Sequence, residues 1–260
     1  MSYSDVDASR DPQALVGQLD VRAANLAAIK AEMRQLASVA PGDVVIDLGC
    51  GAGHDLAELA RSGHRAVGMD RSSVMLEHAQ ARLAATGVPA GLARALVEAL
   101  PFRTGSVAAC LADRVLQHVA DPATVLAEVH RVLSPGGRLV IFEPDWGTFS
   151  IDLADSDGAQ ALSSCVAGGV AQRRIGLQLH GLLVRAGFTG IDCRQMPIGV
   201  TNLARLQQSA SLDLALRRAV RTGLLSRDRA ERLEQAMAQA SAAGTFWASH
   251  NRYLVTAVRP

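Results

Sequence analysis

Asp47-Leu48-Gly49-Cys50-Gly51-Ala52-Gly53 is the stretch on which the reading of this chain turns. It follows Val44-Val45-Ile46, a short apolar run rich in β-branched residues that reads as a buried strand. It opens a helix expected over about Gly53 to Arg61. Glycines are needed where a chain turns tightly and a ligand approaches the main chain with no Cβ in the way. Open α/β sheets bind ligands outside the carboxyl ends of their strands, at the switch point near the first strand. Alone, the loop leaves two readings open, a nucleotide-type ligand site and a purely structural turn. Its third glycine comes one position early for the dinucleotide spacing Gly-x-Gly-x-x-Gly, because position 54 is His54. Asp70 ends the next strand about twenty residues on, where a carboxylate holds ribose hydroxyls in several nucleoside sites.

Outward from the loop, strands alternate with helices. Arg65 to Asp70 is a second strand, leading into a helix with Leu76, Ala79 and Leu83 on one face and Gly87 at its end. Gly91 to Val97 and Val107 to Ala112 are the third and fourth strands. Asp121 caps a helix with Pro122 at its first position and Leu126, Val129 and Leu133 on one face. Ser134-Pro135-Gly136-Gly137 breaks the chain before a fifth strand, Arg138 to Glu143. Such alternation predicts right-handed βαβ units and a parallel sheet covered on both faces. A helix from Ile175 to Ala186, with strands at Ile191 to Met196 and Tyr253 to Val258, completes a doubly wound α/β sheet of seven mostly parallel strands.

Leu26, Ile29, Met33 and Leu36 predict an amphipathic helix over about Val21 to Ala37. Helices around Leu203 to Val220 and Arg227 to Ala243, the latter capped by Ser226 and stopped by Gly244, exceed what a sheet connection needs. With the irregular stretch Trp146 to Gln172 they read as a helical lid over the carboxyl edge. The expected organisation is an N-terminal lid segment, 1–40, and a main domain, 41–260, with lid insertions at about 146–172 and 198–244.

The chain has 260 residues, 49% of them hydrophobic and 20% charged, which describes a globular protein. With 26 basic and 25 acidic side chains it has no electrostatic footprint for nucleic acid. No apolar run reaches membrane-spanning length, and Met1 to Arg10 lacks a signal-peptide core, so a soluble cytoplasmic protein is expected. Cys50, Cys110, Cys165 and Cys193 lie far apart with no metal-ligand spacing, so reduced thiols and no metal are expected. Lys30 is the only lysine among the basic residues, a bias read as genomic.

Leu100-Pro101-Phe102, then Asp113-Arg114-Val115-Leu116-Gln117-His118-Val119, then Glu128-Val129-His130-Arg131-Val132-Leu133-Ser134-Pro135-Gly136-Gly137 follow in fixed order. With the glycine loop and Val67-Gly68-Met69-Asp70 they resemble the class I S-adenosylmethionine-dependent methyltransferases. The nearest likeness is to the ubiquinone/menaquinone-biosynthesis-like small-molecule group, dense over Pro41 to Glu143 and loose over the last two strands. The resemblance implies a Rossmann-like methyltransferase fold, S-adenosylmethionine as cofactor with S-adenosylhomocysteine as product, and a small-molecule substrate. It carries Asp47 over as the acidic anchor of the loop, Gly49, Cys50 and Gly51 as backbone contacts, and Asp70 as the ribose ligand. Arg71 and Met75 then flank the adenine, and Asp113 and Arg114 lie beside the sulfonium. The acid that the family usually carries after its third strand is missing. Leu96 and Val97 stand there, leaving the backbone of Val97 for the ring edge, with Glu98 as a substitute if the register slips.

His118, after the fourth strand, is the candidate general base, since methylating a hydroxyl requires removing a proton. Its alternative is a histidine that orders the turn or touches the cofactor. Glu143, at the end of the fifth strand, is the candidate partner that orients His118, or else a loop cap. Asp145 is a second acid in reach, and Trp146 packs on substrate or anchors the lid. Asp55 reads as a helix N-terminal charge and His54 as surface or loop packing; Asp20 and Arg22 lie on the segment that the resemblance implies folds over the cofactor, with Arg22 read as a solvated helix face ahead of a ligand of the cofactor carboxylate. Arg217, Arg218 and Arg221 read as a solvated face, as do Arg173 and Arg174 unless these border the pocket. Leu203, Leu206, Ala210 and Leu214 read as core. The expected function is methyl transfer to a small apolar acceptor, at a hydroxyl. The rivals are a cyclase or rearrangement enzyme of the same fold that transfers no methyl, a non-catalytic binding module and, last, an NAD-linked oxidoreductase.

Overall fold

The computed structural model describes residues 26–260, with only the backbone of Gln208, and before them the single positions Asp7 and Gly17. Seven strands form one sheet: β1 (Val44–Leu48), β2 (Arg65–Asp70), β3 (Gly91–Arg94), β4 (Val107–Asp113), β5 (Leu133–Ile151), β6 (Thr189–Val200) and β7 (Ala248–Val258). Their order is β3-β2-β1-β4-β5-β7-β6. β1 pairs in parallel with β2 and β4, β2 with β3, and β4 with β5, whereas β7 runs antiparallel to both β5 and β6. The order reverses between β1 and β4, so the crevice at their carboxyl ends is the switch point of the sheet. Val45 and Ile46 have no exposed surface, because helices cover both faces there, which is why β1 is a continuous apolar run.

One face carries α1 (Ala27–Ala37), α2 (His54–Arg61) and the end of α3 (Ser73–Thr86), whose Met33, Leu56, Leu59 and Leu83 pack on Val45, Leu111 and Val140. The other carries α4 (Pro122–Val132) and α6 (Ile175–Arg185), whose Leu126, Val129, Leu179 and Leu183 pack on Ile46, Cys110 and Ile141. Between these two helices in sequence lies α5 (Ser156–Ala167). The expected caps are formed. Asp121 accepts from the N–H of Ala123 ahead of Pro122, and Ser226 accepts from the N–H of Arg229.

Four sequence expectations change. β3 stops at Arg94, since the N–H of Ala95 turns to the carbonyl of Asp70. Ser134–Gly137 does not separate helix from strand but loops out within β5, where Val107 faces Leu133 and Ala109 already faces Arg138. The single helix expected at Leu203 to Val220 is two, α7 (Leu203–Ala210) and α8 (Leu212–Arg221), because Ser211 between them takes φ 48°. The stretch from Trp146 is irregular only in part, with a register shift between Asp145 and Ser150. β5 continues to Ile151 and pairs Ser150 with Ser249 and Ile151 with Ala248 on β7.

These strand extensions build a third core beyond the sheet's carboxyl edge. Trp146, Phe149, Ile151 and Ala248 pack there with Leu162, Leu206, Leu216, and with Leu233 and Met237 of α9 (Arg227–Ala242). Of the predicted N-terminal helix, α1 begins at Ala27, and the residues before Leu26 lie outside those described. Among the described residues no helix is long and apolar enough to cross a membrane.

Candidate active site

A cavity of about 1000 Å³ opens between the carboxyl ends of β1, β2 and β4 and the third core. That is the upper end of the range for ligand sites, roughly 300 to 1,000 Å³. Its floor is the glycine loop. Gly49 has φ 62° and Gly51 φ 51°, a region where an L side chain is strained. A Cβ on Gly49 would stand 2.8 Å from Cγ2 of Val115, so the loop presses directly on the turn that follows β4.

Asp70 fixes the loop from the neighbouring strand. Its Oδ2 accepts from the N–H of Gly51 at 3.0 Å and its Oδ1 from the N–H of Ser72 at 2.9 Å. Burial raises its pKa, and these N–H groups pull it back. Each oxygen keeps a lone pair for a ligand hydroxyl. Arg71, the buried Met75, Leu96, Val97 and Glu98 line the same end, so apolar surface and backbone edges are present where an adenine would lie. Cys50 lines the wall with its thiol, raised by burial, against Gly68.

Beneath the loop is a buried group of charges. Lys30 of α1 pairs with Asp55 and, at 2.8 Å, with Asp113. Arg34 reaches Asp55 at 2.8 Å, and Arg114 grips Asp113 through two bonds of 2.8 and 3.0 Å. Burial opposes ionisation of Asp113, but Arg114 and Lys30 outweigh it and hold the carboxyl below its usual range. Burial would also discharge Lys30; Asp113 and Asp55 keep its pKa raised. Asp47, fully buried at the end of β1, is pushed up by desolvation and by Asp55. Arg114 takes φ 57°, an uncommon conformation for a residue with a side chain.

Sequence reasoning missed Lys30. Its signal was spacing: Leu26, Lys30, Met33 and Ala37 recur at i, i+4, i+7 and i+11, which puts the lysine on the helix face that packs on the sheet. Asp55, read as a helix-terminal charge, belongs to the same group.

His118 closes a 3-10 turn, Leu116–His118, and is a half-buried part of the cavity wall. Bonds from three other parts of the chain tie down that turn. The N–H of Leu116 donates to Glu143 Oε1 at 2.6 Å, Trp146 Nε1 donates to Gln117 Oε1 at 2.8 Å, and the N–H of Gln172 donates to the carbonyl of Gln117 at 3.0 Å. Glu143 differs from expectation. It has no exposed surface, is not among the described residues lining the cavity, and sits under the turn instead of pointing into the cleft. Its Oε2 has no hydrogen-bond partner, and burial, opposed by the Leu116 N–H, pushes its pKa up to about 8. Asp145, also buried, caps the N–H of Gly147 and does not line the cavity.

The far half of the cavity belongs to the third core. Trp146, Val166, Ile198 and Leu214 line it with Arg205, Arg217, Arg218, Arg221 and Arg252. The arginines of α8 border the pocket, Arg217 and Arg221 as exposed residues in keeping with a solvated face and Arg218 half-buried, whereas Arg173 and Arg174 do not. The His250 ring stacks on Trp146 at 4.9 Å, and its Nε2 accepts from Arg252 Nε at 3.1 Å. Burial, with Arg252 adding to it, lowers its pKa to about 3, so the ring is neutral. His54 lines the cofactor end; Asp20 and Arg22 lie outside the described residues.

A side-chain-free loop, a carboxylate beside it and a buried apolar rim are the features that an adenosyl ligand needs, so the residues present fit S-adenosylmethionine. A family model described as a methyltransferase domain matches residues 46–141. An uncharacterized 37.1 kDa protein in transposon TN4556 of Streptomyces fradiae is 38% identical over 239 residues, 88% of this chain and 66% of that protein. The demethylmenaquinone methyltransferase of Beutenbergia cavernae is 30% identical over 186 residues, 66% of this chain and 76% of that one. Further curated relatives are matched over less than half their length. Among solved structures, the YcgJ protein of Bacillus subtilis superposes with TM-score 0.63 at 15% identity, over 88% of this chain and 97% of that one. The [4+2]-cyclase SpnF does so with TM-score 0.59 at 20% identity, over 89% and 80%. Identities this low show a shared fold. Glycine loop, ordered motifs and relatives agree: the chain belongs to the class I S-adenosylmethionine-dependent methyltransferases, in the ubiquinone/menaquinone-biosynthesis-like group.

Proposed function

We propose that the protein methylates a hydroxyl of a small acceptor held in the arginine-bearing half of the cavity. One observation carries this reading: a single cavity is walled by the glycine loop and Asp70 at one end, by the lid at the other, and by His118. S-adenosylmethionine supplies a methyl group already activated on its sulfonium. Gly49, Cys50 and Gly51 offer backbone to it, and Asp70 takes the ribose hydroxyls.

The protein's remaining work is alignment, exclusion of water and removal of one proton. Trp146, Val166 and Leu214 supply apolar surface for the acceptor. His118 accepts the hydroxyl proton at a ring nitrogen. Glu143 acts as a positioning residue, because it holds the Leu116 N–H and so the turn on which His118 rides. The direct pairing of Glu143 with His118 expected from strand ends is replaced by this backbone contact.

Mass spectrometry of a metabolite extract incubated with protein and S-adenosylmethionine tests the reaction. The expected product is one methyl group heavier than its precursor, with cofactor consumed. A product of unchanged mass with cofactor intact favours the cyclase reading and overturns this one. His118→Ala should lower turnover by about two to four orders of magnitude and abolish the rise of rate with pH. Affinity for S-adenosylhomocysteine should change far less, and near-parental turnover would remove the base from His118.

A further inference from the structure

Charge is divided along the cavity. At the strand ends both signs are present and largely paired: Asp47, Asp55, Asp70, Glu98 and Asp113 line that half together with Lys30, Arg71 and Arg114. In the lid half the charged lining residues are Arg205, Arg217, Arg218, Arg221 and Arg252, with no Asp or Glu among the described ones. Two helices contribute to this wall. The left-handed residue Ser211 breaks α7 from α8 and itself lines the cavity, so Arg205 of α7 and the arginines of α8 border one space. Arg218 and Arg221, three apart, share a helix face.

Three of these charges, those of Arg205, Arg218 and Arg221, are not cancelled among the described residues. Arg217 is neutralised by Asp213. Half-buried Arg218 spends one N–H on the carbonyl of Cys165 at 2.8 Å, which fixes the guanidinium without neutralising it. Arg205 and Arg221 have no side-chain hydrogen bond or ion pair among the described residues. Exposed Arg205 and Arg221 and half-buried Arg218 thus line the same cavity as the apolar Trp146, Val166, Ile198 and Leu214. A guanidinium fork matches the oxygens of phosphate and carboxylate alike. A carboxylate brings one negative charge, whereas a phosphate ester brings roughly 1.5 to 2 and a diphosphate more, which comes nearer to three cations.

We propose that the acceptor is an amphiphile whose apolar body ends in a phosphate or diphosphate, held by Arg205, Arg218 and Arg221. This rests on the lid half being the acceptor site, and it replaces a wholly apolar acceptor with a charged one.

The test is calorimetry on the full chain saturated with S-adenosylhomocysteine, using octanol, octanoate and octyl phosphate as probes. Octyl phosphate should bind roughly a hundredfold tighter than octanol and roughly tenfold tighter than octanoate, as charge-assisted hydrogen bonds require. Arg205→Gln and Arg221→Gln should each cost octyl phosphate roughly tenfold and leave octanol unchanged. Arg173→Gln, an exposed arginine off the cavity, controls for general surface charge and should change nothing. Octyl phosphate no tighter than octanol, octanoate equal to octyl phosphate, or an equal loss in Arg173→Gln would each overturn the proposal. Failure of S-adenosylhomocysteine to bind in the first step sinks the methyl-transfer reading instead, so the two failures are told apart.

Discussion

Glu143→Gln should make the protein more stable, and by more as the pH rises. The carboxyl is fully buried, one oxygen accepts from the Leu116 N–H and the other has no partner. Burial first, then the neighbouring charge of Asp113, raises its pKa from 4.5 to about 8. A carboxyl whose folded pKa lies above its unfolded one binds more protons in the native state, so the stability it contributes is present in acid and is lost as pH climbs toward the folded value. Between about pH 5.5 and 8.5 the loss comes to about 3 kcal/mol. Glutamine keeps an oxygen for the Leu116 N–H and removes the titration. Urea unfolding of parent and variant at both pH values isolates this residue, because every other titrating group cancels in the difference. The parent-to-variant gap should widen by about 3 kcal/mol on going to the higher pH, in favour of the variant. A gap that stays constant across pH would mean that Glu143 ionises normally, and the burial argument fails.

Asp70→Ala should weaken S-adenosylhomocysteine binding by about tenfold to a hundredfold, the worth of charged hydrogen bonds to ribose, with saturated turnover less affected. Unchanged affinity by calorimetry would take the ribose away from β2. Gly51→Val should abolish that binding, since φ 51° strains a branched side chain and the Cβ enters the ligand's space. A circular dichroism spectrum like the parent's is needed to read the result as local. Lys30→Met should cost about 3 kcal/mol in urea unfolding, because Asp55 and Asp113 stay buried with one cation fewer. A loss under about 1 kcal/mol would place the lysine among ordinary surface pairs.

Much of the fold was legible because its signals are local. Val44-Val45-Ile46, the Asp121-Pro122 cap and Gly87 each specify their element without help from distant residues. The extension of β5 was hidden by exposed Gly147, which ends the buried run from Leu139 to Trp146 before Phe149 and Ile151 bury again on either side of exposed Ser150. The antiparallel place of β7 between β5 and β6 has no local signature, since strand order is decided by packing across the whole sheet. In the site, the loop and Asp70 were readable because backbone conformation and spacing carry their role. Glu143 was misplaced because a strand-end side chain faces cleft or core according to the turn beside it. Here that turn folds over the carboxyl.

That arrangement gives the buried acid a mechanical meaning. Gly49 presses on Val115, the first residue after Arg114, and the next N–H along, that of Leu116, is the one that Glu143 holds. Two residues further stands His118, with Gln117 tied to Trp146 between them. The cofactor loop, the candidate base and the lid thus meet through four consecutive residues fixed from below, from the side and from above. A neutral, protonated Glu143 suits this place, because an ionised one would add charge close to Asp113, whose own ionisation Lys30 and Arg114 already support. An acid there that never met the substrate would still set where the base stands. It follows that removing the carbonyl oxygen with Glu143→Ala, which orphans the buried Leu116 N–H, should harm turnover more than Glu143→Gln does. Rescue by the glutamine is what separates a positioning residue from a proton-transferring one. Equal losses in the two variants would mean that the ionisable group itself takes part.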